Sequence, residues 1–394
     1  MPLPSWMIWT LGGAFSLAVV LLWSRWRRFD RSRAATVYLR GFQYLLSDDP
    51  DGAIEVLTKV ATTGTLEAYF TLGSLYRRKG ELERALQLHK NLLLSPALEP
   101  KDRRQALGEL GRDYRQGALW AEAAEALEEA CDEGEGSEPP LELREELRDV
   151  YLAAGRFADA AECQRAIGEP GEDRLGAHLW AEASAGRLAA GDRHGAKAAA
   201  AAAREACPGS AHALAALAAV RVGEGDLPGA REAAFAAVTA EPWAGGIVFP
   251  WLRQAHAAAG QADLLAALQT WLPAHPQSLH AALLHAQLLR AAGRQAEAAS
   301  ALRQLLGRAP GFLEARAELG LIVLAAGLEG ELRQAYQELL ANLSADTAAG
   351  RCVFCGQPSR ELRWRCPACA AWDWLEPAPT KDLTQGAAAR SLQA

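Results

Sequence analysis

Leu72-Gly-Ser-Leu-Tyr76-Arg-Arg-Lys-Gly80-Glu-Leu-Glu-Arg-Ala85 decides the architecture. Leu-Gly and Tyr occupy a first helix, Gly80 marks a turn, and Ala85 lies five residues on, in a second helix. Leu110-Gly-Arg-Asp-Tyr114, Gly117 and Ala123 repeat the pattern, while Gly41, Tyr44 and Ala53, and later Tyr151, Gly155 and Ala160, follow it more loosely. After Gly155 turn glycines recur at Gly191, Gly225, Gly260, Gly293 and Gly327, each 33 to 36 residues after the one before. Ala196, Ala230 and Ala298 each follow their turn by five residues, and Pro208, Pro242 and Pro310 stop the second helix seventeen residues after the glycine.

A beat near 34 residues is the tetratricopeptide length. Small residues let the two helices of a hairpin approach, and a turn glycine takes the left-handed conformation at little cost. No single hairpin buries its apolar stripe, so neighbours must stack. The expected fold class is therefore all-α, a tetratricopeptide-repeat solenoid of eight or nine units over residues 34–345. A plain helical bundle has no reason to keep such a beat. The central units, residues 177 to 240, are Ala-rich and offer little side-chain surface for recognition. If first helices line the concave surface, Tyr38, Phe42, Glu67, Phe70, Arg77, Arg112 and Arg115 are candidate partner contacts, and Arg77-Arg78-Lys79 also reads as a solvated helix end.

Residues 1–24 carry no charged side chain, and Trp6 to Trp23 read as an N-terminal transmembrane helix. Eighteen residues at 1.5 Å each cover about 27 Å, close to the roughly 30 Å hydrocarbon thickness. Trp6, Trp9, Trp23 and Trp26 bracket the span, and a basic juxtamembrane segment, residues 25–33, follows with Arg25, Arg27, Arg28, Arg31 and Arg33. By the positive-inside rule that end faces the cytoplasm. A cleaved signal peptide would place its charges before the apolar run, not after it. Gly12-Gly13 would allow close approach to another membrane helix.

Cys352-x-x-Cys355 and Cys366-x-x-Cys369 face each other across a ten-residue spacer within residues 346–378, with a flexible tail at 379–394. Two such knuckles supply four thiolates for one iron or zinc ion, as in a rubredoxin-like or zinc-ribbon module. Two structural disulfides are the competing arrangement, but residues three apart make a strained bridge. About thirty residues build no adequate core, so the ion must stabilise the fold. The segment Arg360 to Arg365 is expected to form a strand, and Trp364, Trp372 and Trp374 to cover the site and dock it on the last helices. Cys131, Cys163 and Cys207 lack metal spacing and read as buried or half-buried small hydrophobes.

A net charge of −7 gives no global case for nucleic-acid binding. The array contains neither a phosphate-binding loop nor a nucleophile elbow. His178, His194, His212, His256, His275, His280 and His285 lack metal-ligand spacing and read as packing or surface residues, so no catalytic residue is assigned. The terminal module suits protein docking, electron transfer through iron, or nucleic-acid binding through its arginines and Trp364. Docking requires nothing further from the chain.

The order of parts resembles the lipopolysaccharide assembly protein B family of Gram-negative bacteria. The resemblance is carried by Gly41-x₃-Leu45-Leu-Ser47, Leu72-Gly-x-Leu-Tyr-Arg77-x₂-Gly80-Glu, Gln105-x₄-Leu110-Gly-Arg-Asp-Tyr114 and Trp364-x-Cys-Pro-x-Cys-x-Ala-Trp372. It covers essentially the whole chain, though the central repeats depart toward alanine. It implies a non-enzymatic, single-pass inner-membrane regulator with its C-terminal domain on the cytoplasmic side. Its partners would be the ATP-dependent protease FtsH, the deacetylase LpxC and other inner-membrane lipopolysaccharide-synthesis proteins, with homo-oligomers as a further option. The family's metal ligands map onto Cys352, Cys355, Cys366 and Cys369.

Overall fold

The computed structural model describes residues 66–96, 98–133, 138–169, 171–257, 260–325, 350–359 and 361–377. The expected membrane span, the basic segment, Tyr38, Phe42, Gly327 and the tail lie outside them. Among the described residues no helix is long and apolar enough to cross a membrane. Two compact units are present, residues 1–155 and 156–394.

In the first unit α1 (Leu66–Lys79) pairs with α2 (Leu82–Leu93) and α3 (Pro100–Gln116) with α4 (Trp120–Asp132), before α5 (Leu141–Ala153). First and second helices of a hairpin are buried differently. The first helix α1 hides Ala68, Phe70, Leu72, Gly73 and Leu75, a wide arc, because it lies between its own partner and the next first helix, α3. The second helix α2 hides only Ala85, His89 and Leu92, one stripe at helical spacing. Pro100 starts α3, where its missing N–H costs nothing.

The second unit continues with α6 (Phe157–Arg165), α7 (Arg174–Ala189), α8 (Arg193–Ala206), α9 (Ala211–Glu224) and α10 (Leu227–Ala240). A short 3-10 turn, Pro242–Ala244, leads into α11 (Gly245–Ala255). The helices α12 (Gln261–Trp271), α13 (Leu279–Ala291), α14 (Gln295–Arg308) and α15 (Leu313–Ala325) complete the described stack. Helices touch their hairpin partner and the next repeat, as a solenoid requires. Asp173, Asp192 and Ser210 cap α7, α8 and α9 by accepting from the N–H three residues on.

The alanines that follow the turns, Ala85, Ala123, Ala160, Ala196, Ala230 and Ala298, are all fully buried, as close approach demands. The turns themselves are less uniform. Gly80, Gly155, Gly191, Gly225 and Gly293 have φ between 73° and 82°. At Gly117 φ is −79°, and the left-handed residue is Ala118, at 55°.

The C-terminal module is built on a three-stranded antiparallel sheet of β1 (Gly350–Cys352), β2 (Pro358–Ser359) and β3 (Leu375–Pro377), in the order β2-β1-β3. Register pairs Gly350 with Ser359 and Cys352 with Leu375. The strand expected around residues 361–365 is not among these. There Arg365 makes one isolated bridge with Trp372, Leu362 and Trp364 turn to the helices, and Glu361 and Arg363 are exposed.

Candidate metal centre

Each knuckle is a tight turn closed on its first cysteine. Gly356 N–H donates to the Cys352 carbonyl at 2.9 Å, and Ala370 N–H donates to the Cys366 carbonyl at 3.0 Å. Both closing residues are left-handed, with φ of 73° and 59°. The first knuckle uses glycine, whereas the second places alanine there at a cost of about 1 kcal/mol. The turns bring all four sulfurs within 4.8 Å of one another. Cys352 Sγ lies 3.6 Å from Cys369 Sγ, and Cys355 Sγ 3.9 Å from Cys366 Sγ. A tetrahedral ion with metal–sulfur bonds near 2.3 Å sets its sulfurs about 3.8 Å apart. The observed separations fit such an ion, and each is far longer than the roughly 2.05 Å of a disulfide.

The proton balance also calls for a cation. Burial acts to raise the Cys366 thiol, but the N–H groups of Cys369 and Ala368 and the neighbouring thiols bring it down to about 7. The Ala371 N–H favours a Cys369 thiolate, yet burial and the three surrounding sulfurs push that thiol up to about 12. Cys366 thus ionises at the expense of Cys369, and a cation among the sulfurs favours the thiolate form. Cys352 and Cys366 are buried, while Cys355 and Cys369 are exposed. The core beneath them is Cys352, Cys366 and Trp374, whose indole N–H donates to the Arg363 carbonyl at 2.9 Å.

Among the described residues the module rests on the central array, not on the last helices expected from the sequence. Trp364 and Trp372 stack on the central array, His212 on Trp364 at 4.4 Å and His178 on Trp372 at 4.9 Å. Trp364 also meets Trp243 and the small patch Ala211, Ala237 and Ala244, so the Ala-rich helices present a landing surface for a large ring. His178 lies on α7 and His212 on α9, with their Nδ1 atoms 3.0 Å apart. His178 Nε2 donates to Asp373 at 3.0 Å, which leaves its Nδ1 to accept from His212 Nδ1–H. Arg174 bridges Asp373 and Glu241, each at 3.0 Å, and with His178 it holds the Asp373 carboxyl below its usual range. The 34-residue separation of the two histidines, one repeat, is the sequence signal that pairs them.

Burial, reinforced by His178, pushes His212 well below the usual histidine range. A proton taken up when the array face opens is thus refused when it is closed, so this contribution is intact above about pH 6.5 and falls as pH drops, by about 1.4 kcal/mol per unit, until the depressed value is reached. Acidification from pH 7.5 to 5 should therefore lower the guanidinium midpoint of the second unit more in the native chain than in His212→Asn. Equal slopes would remove His212 from the account. The variant keeps the acid sensitivity of the thiolates, so the difference isolates the imidazole.

The remaining sequence candidates divide. Glu67 and Arg115 are exposed on α1 and α3. Phe70 instead fills the core with Leu92 and Ala106. Arg77 is no solvated helix end: it pairs with Asp113 at 2.7 Å and Glu109 at 2.8 Å. Arg112 pairs with Glu109 and Glu146, at 2.6 and 2.9 Å. Phe70 and these two arginines thus bind the repeats to each other. His89, fully buried against Asp113, belongs to the same network and lacks any spacing that would mark it in the sequence.

Stacked helical hairpins with a four-sulfur knuckle module docked on them define a repeat protein with a four-cysteine cluster suited to a metal ion. No protein-family model matches the chain. It is a relative of Lipopolysaccharide assembly protein B of Escherichia coli K12, with 29% identity over 168 residues, 41% of this chain and 42% of that one. The Haemophilus influenzae protein of the same name is 30% identical over 115 residues, 27% of this chain and 29% of that one. The chain thus spans well under half the length of these curated relatives. Among solved structures, the TPR2AB domain–pHSP90 complex of yeast Sti1 covers 79% of this chain and 99% of its own at 15% identity and a TM-score of 0.35. The structure of Naa15/Naa10 bound to HypK-THB covers 79% of this chain and 42% of its own, at 16% and 0.39.

Proposed function

We propose that the chain is a membrane-tethered adaptor in lipopolysaccharide assembly that holds other proteins rather than transforming a substrate. The observation that carries this is the sequence relationship to Lipopolysaccharide assembly protein B, joined to an apolar N-terminal segment followed by arginines. In the finer form of the proposal, the repeats hold the deacetylase LpxC close to the protease FtsH at the inner membrane and so promote its turnover. A tether acts by effective concentration, which reaches the millimolar range for short linkers without any new contact. The metal module acts as part of the scaffold, its ion fixing the module's fold.

Membrane crosslinking followed by affinity purification of the full chain is expected to recover the protease or the deacetylase. A strain lacking the chain should then hold LpxC severalfold longer after synthesis is blocked. Recovery of neither partner, with unchanged LpxC lifetime, would sink the adaptor proposal.

A further inference from the structure

Among the described residues, the module's ring, apolar and ion-pair contacts to the array come from positions between its metal ligands or within four residues of the last one. Leu362 and Trp364 sit in the spacer between Cys355 and Cys366, and Trp372 and Asp373 follow Cys369. Leu362 reaches Gly246 on α11 so closely that a β-carbon there would stand 2.1 Å from its Cδ1. The gripping segment carries little regular structure. Besides one isolated bridge, Arg365 to Trp372, it is tied by the second knuckle's backbone bonds and by the Trp374 indole on the Arg363 carbonyl, and two of the three residues in the module's core are ligands, Cys352 and Cys366. In so small a module an ion on four thiolates is the strongest single tie on these side chains.

The array is differently placed. Its core in the second unit runs from Ala215 through Ile322, and Trp364 only packs against it as a partly buried neighbour. The face under the module holds two imidazoles, each stacked on a tryptophan of the module, which can turn to water once uncovered. A route to the ion exists while the module is seated. Cys355 and Cys369 are exposed, and Cys366 lines a cleft of about 550 Å³ between the module and the array, walled by Glu182, Ile247, Leu362 and Trp364.

We propose that the metal centre is a latch on the array: the bound ion clamps Leu362, Trp364, Trp372 and Asp373 onto the face carrying His178 and His212, and loss of the ion releases that face while the repeats stay folded. The latch rests on the four-thiolate site and not on the adaptor proposal. Ion occupancy sets how much of α7 and α9 is open to another molecule, so the device converts metal supply into a change of accessible surface.

Hydrogen exchange on the full chain in mild detergent tests it, with ion content measured by elemental analysis on each sample. Removing the ion with a chelator should speed exchange by about tenfold or more in residues 174–186 and 211–222, and leave α13 and α14 unchanged. Trp364→Ser combined with Trp372→Ser should keep the ion and show the same opened footprint. Unchanged protection after ion removal overturns the latch. So does loss of protection throughout the array, or a double variant that stays closed or cannot hold its ion.

Discussion

Cys366→Ser empties the metal centre and unfolds the module, while the helical array persists. The expected ion content falls from about one per chain to under about a tenth, because removing one thiolate from a structural site forfeits a large share of roughly 10–16 kcal/mol of apparent binding free energy. Position 366, like 352, is one of the two buried ligands and so a more damaging choice than the exposed 355 or 369. Its sulfur is buried, its backbone N–H donates to the Ala371 carbonyl at 2.8 Å, and its carbonyl accepts from Ala370 at 3.0 Å. A serine oxygen keeps the turn but supplies a harder, shorter ligand with a far higher proton affinity. Elemental analysis gives the ion content, and the near-ultraviolet circular dichroism of Trp364, Trp372 and Trp374 should collapse together. Cys163→Ser, in a helix away from the site, should change neither signal. One ion per chain in Cys366→Ser would mean the four sulfurs do not form the site.

The repeat fold was legible in the chain because its signals are local. A turn glycine, an alanine five residues on and a proline after the second helix each reflect one hairpin, and the fully buried Ala85, Ala160 and Ala230 match that pattern. The four cysteines were legible for the same reason, since a knuckle is four residues long. What joins the module to the array was not, because contacts such as His178 with Asp373 span 195 residues. Local pattern points toward the last helices, since they are nearest in sequence. The structure seats Trp364 on α9 instead, where alanines make room for an indole. The same holds for the arginines of α1 and α3. On one helix Arg77 looks solvated, and only the neighbouring repeat supplies Asp113. Poverty of side chains in the central repeats is thus a steric condition for docking rather than a sign of an idle surface.

The second large effect lies in the first unit, at Asp113. Its carboxylate is fully buried and accepts from Arg77 Nη1 at 2.7 Å and from His89 Nδ1 at 2.6 Å, joining α1, α2 and α3. Burial works against the Arg77 cation, and the hydrogen bonds to Asp113 and Glu109 more than offset it. His89 Nε2 already lacks a partner, since the ring lies hard against Gly73, where a β-carbon would stand 2.3 Å from that atom. Asp113→Ala therefore strands a second polar nitrogen in the core and leaves Arg77 with Glu109 alone. Breaking a buried charged pair from one side costs about 3–5 kcal/mol. Denaturant unfolding of the variant should show a loss of that size, with Arg77→Ala costing less because its guanidinium keeps some solvent contact. Pairing Asp113→Ala with His89→Leu should recover part of the loss, since the stranded imidazole is then gone. If the double variant is less stable than the sum of the singles, the carboxylate and the imidazole do not act as a pair. If Asp113→Ala costs under about 1 kcal/mol, water reaches the site and the network does not hold the first repeats together.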